Sequence, residues 1–95
     1  MRNKFYYTFE EDLKKRLKNP EFRKAWEETE VEYQLAKKLI EKRLAKKMSQ
    51  RELAKRAKTT QAVISRIETM EANPSLSLLK KIASTLNKKL VIDFK

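Results

Sequence analysis

The chain has 95 residues, 40% hydrophobic and 39% charged, with 24 Lys and Arg against 13 Asp and Glu for a net charge of +11, a length that allows one small compact domain. Cys, His and Gly are absent. This removes Cys/His zinc sites, disulfides, thiol and imidazole catalysis and Gly-rich phosphate loops, so no metal, cofactor or enzymatic activity is expected. No apolar run reaches membrane-span length and Met1-Arg2-Asn3-Lys4 leads into no signal-peptide core, which predicts a soluble cytoplasmic protein, mostly helical because only Pro20 and Pro74 interrupt it.

In chain order, Thr8-Phe9-Glu10-Glu11 fits a capping box and predicts a helix from about Phe9 to Lys18, with Phe9, Leu13 and Leu17 on one face. Asn19-Pro20 caps and opens a second helix with Phe22, Ala25 and Trp26 inward. Thr29-Glu30-Val31-Glu32 is another possible box, where the chain either restarts a helix or bends. The next helix, to about Lys47, aligns Val31, Leu35, Leu39, Ile40, Leu44 and Met48 against Lys37, Lys38, Lys42 and Lys46. Such a basic amphipathic helix could lie on a membrane, but its apolar stripe is needed as core by the helices after it.

Ser49-Gln50-Arg51-Glu52 is the clearest box and starts a helix to Ala57. After a turn at Lys58-Thr59, Thr60 caps a helix from Gln61 to about Thr69. Asn73-Pro74-Ser75 caps a last helix to about Asn87, burying Leu76, Leu79, Ile82, Ala83 and Leu86. Leu90-Val91-Ile92-Asp93-Phe94 alternates and reads as a short strand. Because a lone strand is unstable, it needs a partner: the similarly alternating Phe5–Phe9, the same strand of a second chain, or another protein.

Residues 1–34 carry eight basic and eight acidic residues, whereas residues 35–95 carry sixteen basic and five acidic ones, so the whole excess sits in the later two-thirds. A charge confined in this way suits a polyanion, nucleic acid before an anionic membrane. Within that region, residues 50–69 form a helix, a tight turn and a second helix. Leu53, Ala57, Ile64 and Ile67 point inward, and small Ala54 sits where the helices cross. The outward residues Thr60, Gln61, Ala62, Ser65 and Arg66 make a slim polar face nearly free of acids, as entry into a DNA major groove requires.

Residues 49–86, SQRELAKRAKTTQAVISRIETMEANPSLSLLKKIASTL, resemble the Xre/phage-repressor type of helix-turn-helix domain. The marks are S-Q-x-E-L-A, then T-T-Q-A-V-I-S-R-I-E, then N-P-S-L-x-x-L-x-x-I-A. Leu17-Lys18-Asn19-Pro20-Glu21-Phe22-Arg23 and Leu86-Asn87-Lys88-Lys89-Leu90-Val91-Ile92 resemble the HigA-type antitoxins. The resemblance implies an all-α fold of five to six helices, with an N-terminal helical extension over 1–30, a DNA-binding domain over 31–95 and the short C-terminal β-strand. The chain departs from the pattern at Lys58, where the turn usually has Gly; a left-handed residue with a Cβ costs about 1 kcal/mol there. Thr69-Met70-Glu71-Ala72 lacks the usual Gly too.

The side-chain chemistry assigns roles on the DNA. Gln61 can pair bidentately with adenine, Ala62 can meet a thymine methyl, and Arg66 can pair with guanine or reach a phosphate; Ser65, between them, could take either job. Gln50, Thr60 and the N–H groups at those helix starts would hold phosphates. Lys42, Lys46, Lys47, Lys55 and Lys58 are general phosphate neutralisers, or else an ordinary solvated surface. Seven of the eight aromatics fall within the first 33 residues. Of these Phe5, Tyr6, Tyr7, Phe9, Phe22 and Trp26 suit a protein interface, although some simply pack the extension. The antitoxin resemblance implies that they bind a RelE/HigB-like toxin ribonuclease, and that a homodimer represses its own operon at an inverted repeat. The competing expectation is a stand-alone phage-repressor-type regulator without a toxin. An enzyme has only adjacent carboxylates such as Glu27-Glu28 in its favour, and neighbours on a helix point in different directions.

Overall fold

A helix begins cheaply wherever a short polar side chain satisfies its first free backbone N–H groups, and four such positions set the frame of this chain. The structure is a computed structural model that describes residues 4–94, with side chains from Glu10 onward. Its helices are α1 (Lys4–Arg16), α2 (Pro20–Glu28), α3 (Glu30–Ala45), α4 (Gln50–Arg56), α5 (Gln61–Glu68) and α6 (Leu76–Thr85). Asn19 Oδ1 accepts from the N–H groups of Glu21 (2.9 Å) and Phe22 (3.4 Å), with Pro20 at the first helical position. Ser49 Oγ accepts from Glu52 (3.0 Å), Thr60 Oγ1 from Val63 (3.2 Å) and Ser75 Oγ from Leu78 (3.0 Å). Each cap contributes about 1 kcal/mol relative to Ala.

The helix ends solve a problem created by the missing glycines. Lys47, Lys58, Met70 and Asn87 take the left-handed backbone, with φ of 55°, 58°, 65° and 56°. The next N–H in each case reaches back to a carbonyl of the last turn: Met48 to Arg43 (3.1 Å), Thr59 to Ala54 (2.9 Å), Glu71 to Arg66 (2.8 Å) and Lys88 to Ala83 (2.8 Å). These are Schellman closures. The α4–α5 turn therefore keeps the left-handed form that Gly would adopt, with Lys58 bearing the steric cost of its Cβ.

The chain divides after Val31 into two compact units. In the first, Phe22 and Trp26 lie one turn apart on α2 and stack at 6.5 Å with an 11° interplanar angle. Arg23 Nε donates to the Leu17 carbonyl (2.9 Å), and Asp12 pairs with Arg16 (3.0 Å). The second unit holds the core: Leu39, Met48, Leu53, Ala54, Ala57, Ile64, Ile67, Ile82 and Leu86, with Leu35, Val63, Ala72 and Leu78 packed against it. Leu53, Ile64 and Ile67 are its largest fully buried side chains. Each adds about 1.5–3 kcal/mol by leaving water. Ala54 and Ala57, also buried, let α4 and α5 pack closely. Among the described residues no helix is long and apolar enough to cross a membrane.

Several expectations are corrected. Residues 90–94 form no strand, and none exists among the described residues; an extended segment without a neighbour has no ladder to close. The backbone of Phe5–Phe9 belongs to α1 rather than to a partner strand, so Thr8 lies inside a helix and does not cap one. Inside a helix that segment's carbonyls are paired with the following turn, without a second strand. The side chains of Phe5, Tyr6, Tyr7 and Phe9 lie outside the described residues. Thr29 turns its hydroxyl backward, donating to the Trp26 carbonyl (3.1 Å), so it ends α2 before α3 restarts at Glu30. No residue of α2 is fully buried, and Ala25 is exposed. Val31, in the first turn of α3, Leu44, off the Leu35–Leu39 row, and Leu76, which opens α6, are exposed as well.

Candidate nucleic-acid interface

The tight pair α4–α5 fixes which side of α5 meets solvent. At about 100° per residue, Gln61, Ala62, Ser65 and Arg66 form one stripe roughly 140° wide, and Val63, Ile64, Ile67 and Glu68 occupy the opposite side. The structure bears this out: Ile64 and Ile67 are buried, while Gln61, Ala62 and Arg66 are exposed and Ser65 is half-buried. The stripe contains no acid. Thr60 sits exposed at its head, and its oxygen accepts the Val63 N–H, which leaves its hydroxyl proton for an outside acceptor. Lys46, Lys47, Lys55 and Lys58 are exposed, and Lys42 is half-buried.

Behind the stripe lies a polar network that sequence patterning did not reveal. Arg43, on α3, donates to Glu68, on α5, through both Nε (2.7 Å) and Nη2 (3.0 Å), and its Nη1 donates to the Met48 carbonyl (2.8 Å). The two side chains are only 12% and 5% exposed. A forked pair of this kind is strongly directional, and burial weakens its screening by salt. It ties the end of α3 both to the end of α5 and to the loop entering α4. Gln50, at the start of α4, donates from Nε2 to Glu68 Oε1 (3.0 Å), and Gln61 Nε2 reaches Gln50 Oε1 at a long 3.5 Å. A hydrogen-bonded path thus runs from the buried pair to the exposed tip of α5. Gln50 is half-buried, is held by Glu68 and presents its Oε1 to the Gln61 amide.

Arg43 and Glu68 had a readable signal. Each lies four residues after a buried aliphatic, Leu39 and Ile64 respectively, so both fall on inward faces with opposite charge. The box at the start of α4 forms on one side: Ser49 accepts the Glu52 N–H, while the Glu52 carboxylate accepts from Arg56 (3.0 Å). The candidate protein-binding aromatics belong to the other unit, where Phe22 and Trp26 are half-buried.

A family model described as helix-turn-helix, HTH_3, matches residues 39–92, more than half of the chain. No curated protein and no solved structure matches it.

Proposed function

The chain belongs to the Xre/phage-repressor-like helix-turn-helix family, whose members bind DNA in transcription regulation, and from that premise we propose that it is an antitoxin of a type II toxin–antitoxin module: a cytoplasmic homodimer that represses its own operon at an inverted repeat and neutralises a RelE/HigB-like toxin ribonuclease. The outward face of α5 carries the reading. It is slim, polar and free of acids, it is backed by buried Ile64 and Ile67, and it lies in the region that holds the entire positive excess.

On this reading Gln61, Ala62, Ser65 and Arg66 read base edges. Thr60, Lys46, Lys47, Lys55 and Lys58 hold phosphates, and Gln50 contacts a phosphate while keeping Gln61 in place. Residues 1–30, nearly charge-balanced and aromatic-rich, engage the toxin through Phe5, Tyr6, Tyr7, Phe9, Phe22 and Trp26. The resemblance of Leu17–Arg23 and Leu86–Ile92 to HigA-type antitoxins supports that assignment.

Two measurements on the full chain test it. Footprinting upstream of its own operon should protect an inverted repeat with half-sites about one DNA turn apart. Co-expression with a small ribonuclease encoded beside it should restore growth and yield a co-purifying complex. Protection without rescue or complex would leave the stand-alone regulator as the correct description, and rescue without protection would remove the repressor role.

A further inference from the structure

Helices α3 and α6 each turn one repeating row of side chains toward a shared groove. On α3 the row is Leu35, Lys38, Leu39 and Lys42, and on α6 it is Leu79, Ile82, Ala83 and Leu86. Both follow the i, i+3, i+4, i+7 spacing of a single helical face. The chain after α6 adds Lys88, Lys89, Leu90 and Val91, and these twelve residues line a volume of about 400 Å³. Leu39, Ile82 and Leu86 are buried and belong to the core, so packing fixes the floor. Lys38, Lys88 and Lys89 are exposed and Lys42 is half-buried. A lysine in such a place lays its stem along apolar surface and keeps its ammonium group at the rim.

The chemistry of this lining is narrow. Among the described residues that form it, eight side chains are apolar and four are lysine, with no hydroxyl, amide or carboxylate. A sugar, a base or a metal ion finds in those side chains none of the acceptors it needs. The volume lies within the roughly 300–1,000 Å³ of small-molecule sites. A partner helix fits poorly, because one turn about 10 Å across and 5.4 Å long displaces about 400 Å³ by itself. What remains is an apolar bed for one slender chain, with cations for one compact anionic head.

We infer that the groove between α3 and α6 binds a single-chain anionic amphiphile, a free fatty carboxylate being the simplest, with its hydrocarbon on the aliphatic floor and its head among the lysines. The inference goes beyond the DNA-binding and toxin-binding reading and does not depend on it. None of Gln61, Ala62, Ser65 and Arg66 lines the groove. Because the floor is shared with the core, an occupant that binds only the folded chain also stabilises it.

Equilibrium dialysis of the full chain against octanoate, decanoate and dodecanoate, each below its micelle-forming concentration, tests the site. Each added methylene should tighten binding about two- to fourfold, the upper end corresponding to the roughly 0.8 kcal/mol of a fully buried CH₂. Dodecanoate should raise the Tm, and dodecyltrimethylammonium, of equal chain length, should bind at least tenfold more weakly. Lys88→Glu with Lys89→Glu changes two exposed residues outside the helices. This pair should weaken dodecanoate at least tenfold and leave neutral dodecanol within threefold, with an unchanged circular dichroism spectrum. The same reversal at Lys14 and Lys15, exposed on α1, should leave dodecanoate within threefold. Affinity that does not rise with chain length, a cationic chain that binds as well as the anionic one, or equal losses from the two double reversals would overturn the site. Binding to anionic phospholipid vesicles without binding of monomeric dodecanoate would overturn it too, and would make this face a membrane contact.

Discussion

Glu68→Ala should be the most damaging single change away from the apolar core. It removes a carboxylate only 5% exposed that accepts three hydrogen bonds, two from Arg43 and one from Gln50. The Arg43 guanidinium, 12% exposed, keeps its bond to the Met48 carbonyl but loses the partner of Nε and Nη2. Stranding one member of a buried pair costs about 3–5 kcal/mol, because the remaining charge is neither solvated nor compensated. For a domain of this size that is a fall in Tm of roughly 12–40 °C. Thermal and urea unfolding followed by far-ultraviolet circular dichroism would measure it. The double replacement Arg43→Met with Glu68→Leu should recover most of the loss, since apolar side chains of similar volume avoid the desolvation penalty altogether. It should not recover the placement of Gln61, because Gln50 has still lost its anchor. A Glu68→Ala loss below about 1 kcal/mol, in the range of exposed pairs, would refute the claim that this pair is buried and structurally coupled.

Lys58→Gly should stabilise the protein by about 0.5–1 kcal/mol, the left-handed strain outweighing the added freedom of the unfolded chain, and Lys58→Ala should give no such gain in the same unfolding assay. Gln61→Ala and Arg66→Ala should each weaken operator binding by about 1–3 kcal/mol and relax preference at one base pair, whereas Lys46→Ala should weaken all sequences alike; mobility shifts against a randomised site distinguish the two patterns. Operator affinity should fall with salt at a log–log slope of about −0.9 per phosphate neutralised, and a flat dependence would show that the basic excess faces elsewhere. Tyr6→Ala and Tyr7→Ala should reduce toxin capture in a co-purification assay by about 2 kcal/mol each while leaving footprints unchanged.

The parts of the fold governed by local chemistry were legible in the sequence. Asn19, Ser49, Thr60 and Ser75 cap helices where the chain alone places them, because a cap is decided within three or four residues. The inward row of α4 and α5 was equally readable, since period 3.6 places Leu53, Ala57, Ile64 and Ile67 together. Alternation records only what a strand would bury, so it could not show that residues 5–9 join a helix or that residues 90–94 find no neighbouring strand within the described residues. At Thr29 the sequence left a restart or a bend open; the helix restarts at Glu30, while the Thr29 hydroxyl, which has two local choices, closes α2. The Arg43–Glu68 pair joins residues 25 positions apart, and pattern within a single helix cannot show which distant charge completes it. At the candidate interface the exposed row on α5 was legible, but the anchoring of Gln50 behind it was not.

The left-handed lysines place two demands in conflict at the same positions. Of the four Schellman residues, Asn87 bears the conformation with least strain, because Asn tolerates it better than other residues with a Cβ. Lys47 and Lys58 have no such tolerance, and they are also two of the exposed cations assigned to phosphates. Glycine at either position would relax the backbone and delete a charge in one step. Selection for thermostability alone should therefore convert these lysines to glycine and produce a firmer protein with a shallower salt dependence on DNA. Selection for repression should hold them as lysine and keep the protein softer, a stability–activity trade-off located at two backbone torsions.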